Sequence, residues 1–441
     1  MKRLRMACAA VAIIVAACTA GGGGTETPAT INPSGSHTPV TLTFWSNYTG
    51  TEYHEYSKAF DLFHQQYPWI TVKSLPNLND QKLIAAINTG TPPDVALSFS
   101  PDNIGEFCST GAFTDLTPYI QQDKLDLAQF PKVGLAMGSY KGDQCALPAL
   151  ADAYGLYYNT DMFQKAGITS PPKTISELTA DAKKLTTFNS DGSIKVAGFV
   201  PLDGVGQNYL ASWNAVWGAQ WFDPAGNSAY ATDPGWTDML NWQKQLIDWY
   251  GYDKLQSFVA GFGDEFSSSN AFEVGKVAMM MDGEWRVSFI DQQHPELNYA
   301  TAPFPTPDAQ TSRYGAGLIG GDIVAIPKGS PHPAEAWLLE KFLTTDTQAL
   351  VYLSNTLRNL PITTASVNSP DIKPDPHFAT FLKIYQNPNS AFPPSGPAGA
   401  IYQDLGDTFV TKWQAGNISD LQSGLQQLAK QVDAQMSSQI G

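Results

Sequence analysis

The chain has 441 residues, of which 43% are hydrophobic and 15% charged, a composition that excludes wholesale disorder and can form more than one domain. Its net charge is −15, with 41 acidic residues against 26 basic ones. Such an acidic surface repels nucleic acid and anionic lipid, so we expect no nucleic-acid partner and a small neutral or cationic ligand.

The N-terminus has the pattern of an export signal, in which basic residues precede an apolar run too short to span a bilayer. Residues 15–18 resemble a bacterial lipobox that ends at Cys18. We predict a lipoprotein signal peptide over 1–18, a lipid on Cys18 and a flexible Gly/Thr/Pro/Ser-rich tether over 19–40. The expected location is extracytoplasmic, on the outer face of the cell membrane. A plain signal peptide cleaved nearby is the alternative.

Strand and helix patterns alternate directly after the tether. Apolar periodicity and turn residues predict strands at 41–45, 70–74 and 94–99 and helices at 52–67 and 79–89. This alternation is typical of a mostly parallel sheet with helices on both faces.

Two cysteines remain for the exported chain after the signal segment and Cys18 are set aside. In an oxidising compartment a lone pair most often forms a disulfide, which here would join Cys108 to Cys145. A metal site is the alternative, but the histidines show no ligand spacing near either cysteine.

The stretch from Cys145 to Phe163 has two unlike halves. The first half is apolar and broken by proline, the second is an aromatic strand, and Asp152 lies between them. We interpret it as a crossing from one lobe to another, with Asp152 pointing into the cleft between them. A mid-sheet strand with an ordinary surface aspartate is the alternative.

The α/β pattern then repeats, which predicts a second lobe. The predicted elements are helices at 175–187, 207–217, 235–249, 333–344 and 347–355, strands at 196–200 and 277–281, a glycine turn at 320–321 leading into a strand that ends at 327, and a terminal helix from 419. Ligands of open α/β sheets bind beyond the carboxyl ends of strands, so residues at 45–48, 99–103, 152–154 and 282–285 are the candidates.

Several catalytic patterns are incomplete. The glycines at 315–320 match a dinucleotide fingerprint but lead into a strand instead of a helix, and no G-x-S-x-G occurs. Contiguous methionines at 279–281 alternate between the faces of a strand, so we expect buried residues and no metal ligands. A glycosidase remains the rival hypothesis, because its two carboxylates could come from the acidic residues Asp102, Asp152, Asp282 and Glu284.

Nine short blocks in order carry a family resemblance from about Val40 to the C-terminus. They lie at 41–45, 89–95, 147–152, 156–159, 167–174, 275–279, 283–285, 320–327 and 359–361. On these blocks the chain resembles the extracellular solute-binding proteins, family 1, the carbohydrate-binding lipoproteins of bacterial ABC importers.

The resemblance implies an α/β, two-lobed periplasmic-binding-protein-like fold with hinge crossovers and a ligand cleft. Lobe 1 is expected at 41–148 plus 322–360, and lobe 2 at 153–319 plus 361–441. The implied function is capture of a neutral sugar or oligosaccharide by lobe closure and delivery to the transmembrane subunits of an ABC permease. It implies no enzyme activity, no cofactor and no metal, a monomer, and membrane contact through the lipid anchor only.

By position in the family, one set of residues matches ligand contacts. The set comprises Trp45, Asn47, Asp102, Asp152, Tyr154, Trp213, Trp285, Gly320, Gly321, Asp322, Arg358 and Tyr402. Indole faces pack on sugar rings while carboxylates and amides bind their hydroxyls. A secreted glycoside hydrolase, or a binder of a non-sugar solute such as glycerol phosphate, is the alternative function.

Overall fold

A computed structural model describes residues 31–32 and 35–438 of the chain. The predicted signal peptide, the predicted lipidation site Cys18 and most of the predicted tether lie outside these described residues. Within them, no helix is both long enough and apolar enough to cross a membrane.

The first part of the described chain alternates strands and helices as predicted. In chain order the elements are β1 (Val40–Trp45), α1 (Gly50–Gln66), β2 (Ile70–Leu75), α2 (Asp80–Asn88), β3 (Val95–Ser98), α3 (Ile104–Ser109), α4 (Thr117–Asp123), α5 (Lys132–Ala136), β4 (Ser139–Tyr140), β5 (Asp143–Gln144) and β6 (Leu147–Asn159). Polar side chains start some of these helices: Asn79, for example, accepts a hydrogen bond from the backbone N–H of Lys82 at the start of α2.

The middle of the chain is mainly helical. Its elements are α6 (Thr160–Lys165), α7 (Ile175–Leu185), β7 (Thr187–Phe188), β8 (Ile194–Val196), α8 (Leu210–Trp217), α9 (Pro234–Tyr250), α10 (Tyr252–Val259), β9 (Met279–Gly283), α11 (Arg286–Gln293) and β10 (Tyr299–Ala302). The predicted strand at 196–200 is wrong beyond Val196, where the chain is buried and makes only an isolated bridge from Ala197 to Val277.

The last part returns to the first sheet before ending in helices. Its elements are β11 (Ile319–Ala325), α12 (Pro333–Thr345), α13 (Thr347–Leu357), β12 (Leu360–Pro361), α14 (Thr364–Val367), α15 (Phe378–Gln386), α16 (Ile401–Gln414) and α17 (Leu421–Ser438). The terminal helix starts two residues later than predicted, because Asp420 accepts the hydrogen bond from the backbone N–H of Ser423.

The main sheet is mixed, which corrects the prediction of a mostly parallel one. Only β1 pairs in parallel, with β2 and with β3. β11 runs antiparallel to both β3 and β6, and β6 runs antiparallel to β9, β10 and β12. The long strands β6 and β11 therefore join two halves of one continuous sheet.

Two buried apolar clusters lie along this sheet. The first core contains residues of β1, β3, α1, α12 and α13, and the second contains residues of α7, α8, α9, α16 and α17. β6 contributes Leu150 to the first core and Leu156 to the second. α15, although it falls in the range predicted for lobe 2, packs its Phe381 into the first core.

The methionine run at 279–281 is a buried strand, as predicted. Met279 and Met281 pack in the second core, whereas Met280 packs in the first. Alternation along β9 therefore directs neighbouring side chains to opposite faces.

The predicted disulfide is present and joins Cys108 of α3 to Cys145, two residues before β6. It closes a loop with a sequence separation of 37 residues. Both α3 and the residues that lead into β6 belong to the region of the first core. The bond therefore fixes the start of the long strand to the helix beside it.

Replacing both Cys108 and Cys145 by alanine should lower the free energy of unfolding by about 2–4 kcal/mol, because the unfolded chain regains the freedom of an open loop. Urea unfolding under non-reducing conditions measures this loss. The wild-type protein treated with reductant is the matched control and should unfold at the same urea concentration as the variant. Equal midpoints for the oxidised wild type and the variant would contradict the prediction.

Candidate functional site

Three strands meet side by side at Asp152. In the ladder between β6 and β11, Asp152 lies opposite Gly320, and Ala151 lies opposite Gly321. From the other side, Leu360 of β12 pairs with Ala151. β6 is therefore paired on both sides at this point of the sheet.

Gly321 is required by the close packing of these strands. Its φ is +140°, and a Cβ there would lie 2.2 Å from the carbonyl oxygen of Leu150. Any other residue would push β11 away from β6 and distort the junction. The sequence prediction named Gly320 and Gly321 as ligand contacts, and the structure gives Gly321 a role in packing.

A cleft of about 600 Å³ opens beside the junction. Five of the residues predicted to contact ligand line it, namely Asn47, Asp152, Tyr154, Trp285 and Asp322. They come from the loop after β1, from β6, from the residue before α11 and from β11. Residues distant in sequence thus converge because β6 and β11 pair along their middle parts beside the cleft, and the loop after β1 and the start of α11 reach the same space.

The centre of the cleft is a hydrogen-bonded group of acidic and amide side chains. Asn359 Nδ2 donates to Asp152 Oδ1 at 2.7 Å and to Glu284 Oε1 at 3.2 Å. The backbone N–H of Ala153 donates to Glu284 Oε2 at 2.8 Å. These contacts hold Asp152 in one orientation at the middle of the junction.

Burial controls the charge of this group. Burial, and next the nearby Asp152, raise the pKa of Glu284 well above its ordinary value. Burial also raises the pKa of Asp152, while hydrogen bonds from Glu284 and Asn359 oppose that rise. Burial therefore favours the neutral form of both acids, and the hydrogen bonds to Asp152 favour its ionised form.

A second acid lies on the β11 side of the cleft. Tyr48 donates its hydroxyl hydrogen to Asp322 Oδ2. Burial, followed by the charge of Asp152, raises the pKa of Asp322 well above its ordinary value. Asp322 is therefore better described as a buried hydrogen-bond acceptor for Tyr48 than as an exposed anion.

Glu52 is a site residue that sequence reasoning missed. It lies in the first turn of α1 and lines the cleft. Burial and then the charge of Asp152 raise its pKa to about 7. In sequence it is one of several acidic residues in an amphipathic helix, with no pattern that marks it.

Aromatic residues supply the apolar surfaces of the cleft. Trp285 and Tyr154 meet edge to face, with ring centroids 5.6 Å apart. Phe99 and Phe266 line the cleft and are 41% and 51% exposed. Phe99 directly follows β3 and lies in the strand-end range 99–103 that the sequence analysis named, whereas the loop containing Phe266 carries no such signal and was missed.

No Lys, Arg or His is among the described residues that line the cleft. A ligand bound there meets carboxyl, amide, hydroxyl and aromatic groups. This chemistry suits a neutral polyhydroxylated molecule and offers no counter-ion to a phosphate.

The remaining predicted ligand contacts are not among the residues that line this cleft. Trp213 is fully buried in the second core, against Phe304. Tyr402 is also buried and donates to the carbonyl oxygen of Pro394 at 2.6 Å. Their spacing in sequence gives no means of separating core aromatics from cleft aromatics.

Trp45, Asp102 and Arg358 lie outside the cleft as well. Trp45 packs against the first core. Asp102 follows β3, and burial raises its pKa to about 6. Arg358 ends α13 in the left-handed conformation, and its guanidinium lies 3.5 Å from a carboxylate oxygen of Asp375.

A family model described as bacterial extracellular solute-binding protein matches residues 58–380. The maltotriose-binding protein of Pyrococcus abyssi is 22% identical over 82% of this chain and 75% of its own length. A maltooligosaccharide ABC transporter solute-binding lipoprotein of Streptococcus pneumoniae is 24% identical over 69% of this chain and 68% of its own.

Among solved structures, CpMnBP1 with mannotriose bound superposes with a TM-score of 0.79 and 26% identity. The alignment covers 89% of this chain and 99% of that one. This likeness confirms the predicted two-lobed α/β fold class.

Glu52 generates a prediction about pH. Its pKa in the folded protein, about 7, exceeds the 4.5 of an unburied carboxyl, so the folded state binds more protons between these values. The stability it contributes is complete below about pH 4.5 and is lost as the pH rises through about 7. Thermal unfolding from about pH 5 to about pH 8 should therefore show a falling Tm.

Glu52→Gln should make that fall shallower, because the amide does not ionise. Asp191→Asn is the control, since Asp191 lies in an exposed turn and its pKa is lowered by hydrogen bonds from Ser193. A Glu52→Gln profile parallel to the wild type would contradict the assignment.

Proposed function

The chain belongs to the bacterial extracellular solute-binding proteins, and we propose that it captures a neutral sugar or oligosaccharide for the permease of an ABC importer. The observation that carries the proposal is the cleft at Asp152, which combines aromatic faces with carboxyl and amide groups and has no basic side chain among its described lining residues. The relatives named for maltotriose and maltooligosaccharides and the neighbour bound to mannotriose support the same ligand class.

The chemistry of the cleft fits a sugar in two ways. The C–H face of a sugar ring can pack on the indole of Trp285, while Asp152 accepts hydrogen bonds from the ring hydroxyls. Asn47 Oδ1 and Trp285 Nε1 are buried polar atoms without a partner among the described residues. A ligand that supplies a donor and an acceptor would satisfy both.

Capture proceeds by closure of two lobes on the sugar. Lobe 1 comprises 41–148 plus 322–360, and lobe 2 comprises 153–319 plus 361–441. The second core, all of whose residues lie in the ranges of lobe 2, and the pairing of β11 and β12 with β6 beside Asp152 support this division, while the first core draws residues from both ranges. A ligand that touches both lobes stabilises the closed state, because only there are both sets of contacts made.

The remaining assignments complete this function. The protein acts as a monomer, held to the outer face of the cell membrane by a lipid on Cys18, and the transmembrane permease subunits receive the loaded form. It binds no cofactor or metal and catalyses no covalent step. A glycerol-phosphate ligand is disfavoured, since the one nearby predicted cation, Arg358, is paired with Asp375.

A panel of neutral glycans and glycerol phosphate tests the binding function against the hydrolase alternative. Thermal shift with each compound should show a rise in Tm for neutral sugars, and chromatography of the incubated glycans should show them unchanged. Release of shorter sugars would overturn the proposal in favour of a glycoside hydrolase. A shift with glycerol phosphate alone would overturn the ligand class.

Asp152→Ala and Trp285→Ala should each weaken sugar binding by about 1–3 kcal/mol, through a lost charged hydrogen bond and a lost aromatic contact. Isothermal titration calorimetry with the sugar that gives the largest thermal shift measures the change. Trp249→Ala is the matched control, because this tryptophan is 39% exposed and does not line the cleft. Unchanged affinity in both cleft variants would show that the sugar binds elsewhere.

A further inference from the structure

Helix α11 presents one side to the cleft along its whole length. Trp285 precedes the helix in a helical conformation, and Ser288, Phe289 and Gln292 follow on the same face. All four line the cleft. Trp285 and Phe289 are one turn apart, about 6 Å along the helix axis. This is close to the length that one pyranose unit adds to a sugar chain.

Phe266 stands beside Phe289 and enlarges the aromatic surface at that second position. The two ring centroids are 5.7 Å apart, with an angle of 48° between the ring planes. Phe266 is 51% exposed, more than any other large hydrophobic side chain in the described part of the chain. An apolar surface left open inside a binding cleft indicates a contact that forms only with ligand.

The loop that carries Phe266 is tied to α11. Gln293 Nε2 donates to the carbonyl oxygen of Phe266 at 3.3 Å, and a ring nitrogen of His294 lies 2.8 Å from the carbonyl oxygen of Ser268. The backbone that carries Phe266 is therefore held in place before any ligand arrives, which reduces the entropy lost on binding.

Arg286 supports the same two rings from beneath. Its guanidinium carbon lies 5.8 Å from the ring centroid of Phe266 and 5.3 Å from that of Phe289. Arg286 is fully buried and forms ion pairs with Asp282 at 2.7 Å and Glu273 at 3.0 Å. The two ion pairs thus fix the guanidinium of Arg286, and the guanidinium positions the rings of Phe266 and Phe289.

We propose that Phe266 and Phe289 form a second stacking subsite, which binds the sugar ring next to the one on Trp285. This inference rests on the proposed function and refines it: the ligand is a chain of two or more neutral rings that runs along α11. A monosaccharide would fill only the position at Trp285 and Asp152. Binding at this subsite involves no covalent bond to the ligand and no ion pair with it.

The test is a double variant, Phe266→Leu with Phe289→Leu, which keeps apolar volume and removes both ring faces. Phe188→Leu is the matched control, since Phe188 is 45% exposed and lies outside the cleft. Calorimetry uses two probe series, mannose, mannobiose and mannotriose, and glucose, maltose and maltotriose. An unchanged Tm for both variants verifies that they fold.

In the sugar series that the wild-type protein binds, its affinity should rise from the monosaccharide to the disaccharide. The double variant should lose about tenfold in affinity for the di- and trisaccharide and stay within about twofold for the monosaccharide, as expected for a lost aromatic contact. Phe188→Leu should match the wild type throughout.

Three outcomes overturn the inference, and they can be told apart. Equal affinities of wild type and double variant for the di- and trisaccharide would remove the second subsite and leave the proposed function standing. An equal loss for mono-, di- and trisaccharide would show that the two rings support the whole site instead of one subsite. Failure of the wild type to bind either series would overturn the inference together with the function proposed for these sugars.

Discussion

The packing of β6, β11 and β12 around Asp152 is the constraint on which the rest of the structure depends. The three strands are hydrogen-bonded side by side in one narrow band of backbone, at which β6 passes from the first core to the second. Because Gly321 has φ +140° and no room for a Cβ, this band cannot be built from arbitrary residues. Asp152 is placed at the centre of the cleft by the same hydrogen bonds that join the strands.

The electrostatic design of the cleft follows from that placement. Several acids are buried around Asp152 with no basic side chain among the described residues that line the cleft, and hydrogen bonds from Asn359 and Tyr48 to the carboxyl oxygens offset part of the cost of burial. Arg286, a fully buried basic residue nearby, already forms ion pairs with Asp282 and Glu273 beneath the rings of Phe266 and Phe289. The cleft therefore offers a ligand hydrogen-bond acceptors and aromatic faces but no positive charge.

Sequence reasoning succeeded where a local pattern has one physical meaning. The alternating strands and helices at the start, the buried methionine strand and the Cys108–Cys145 bond were all predictable, because periodicity and cysteine pairing act locally or in pairs. The predicted glycine turn at 320–321 is instead part of β11, since strand pairing with β6 extends through both glycines. Sequence reasoning failed where the outcome depends on three-dimensional packing. Trp213 and Tyr402 are as aromatic as Trp285, and only the folded chain shows that they belong to the second core. Glu52 and Phe266 reach the cleft because of the orientation of helix α1 and of the loop that contains Phe266. No periodic pattern in the sequence predicts that orientation.

The most direct test of the account is small-angle X-ray scattering of the protein with and without a saturating neutral oligosaccharide. If two lobes joined at the Asp152 junction close on a sugar, the radius of gyration must fall on binding, since only the closed state lets the ligand contact both lobes. We predict a smaller radius of gyration at the sugar concentration where calorimetry shows full occupancy. An unchanged radius at full occupancy would contradict the account.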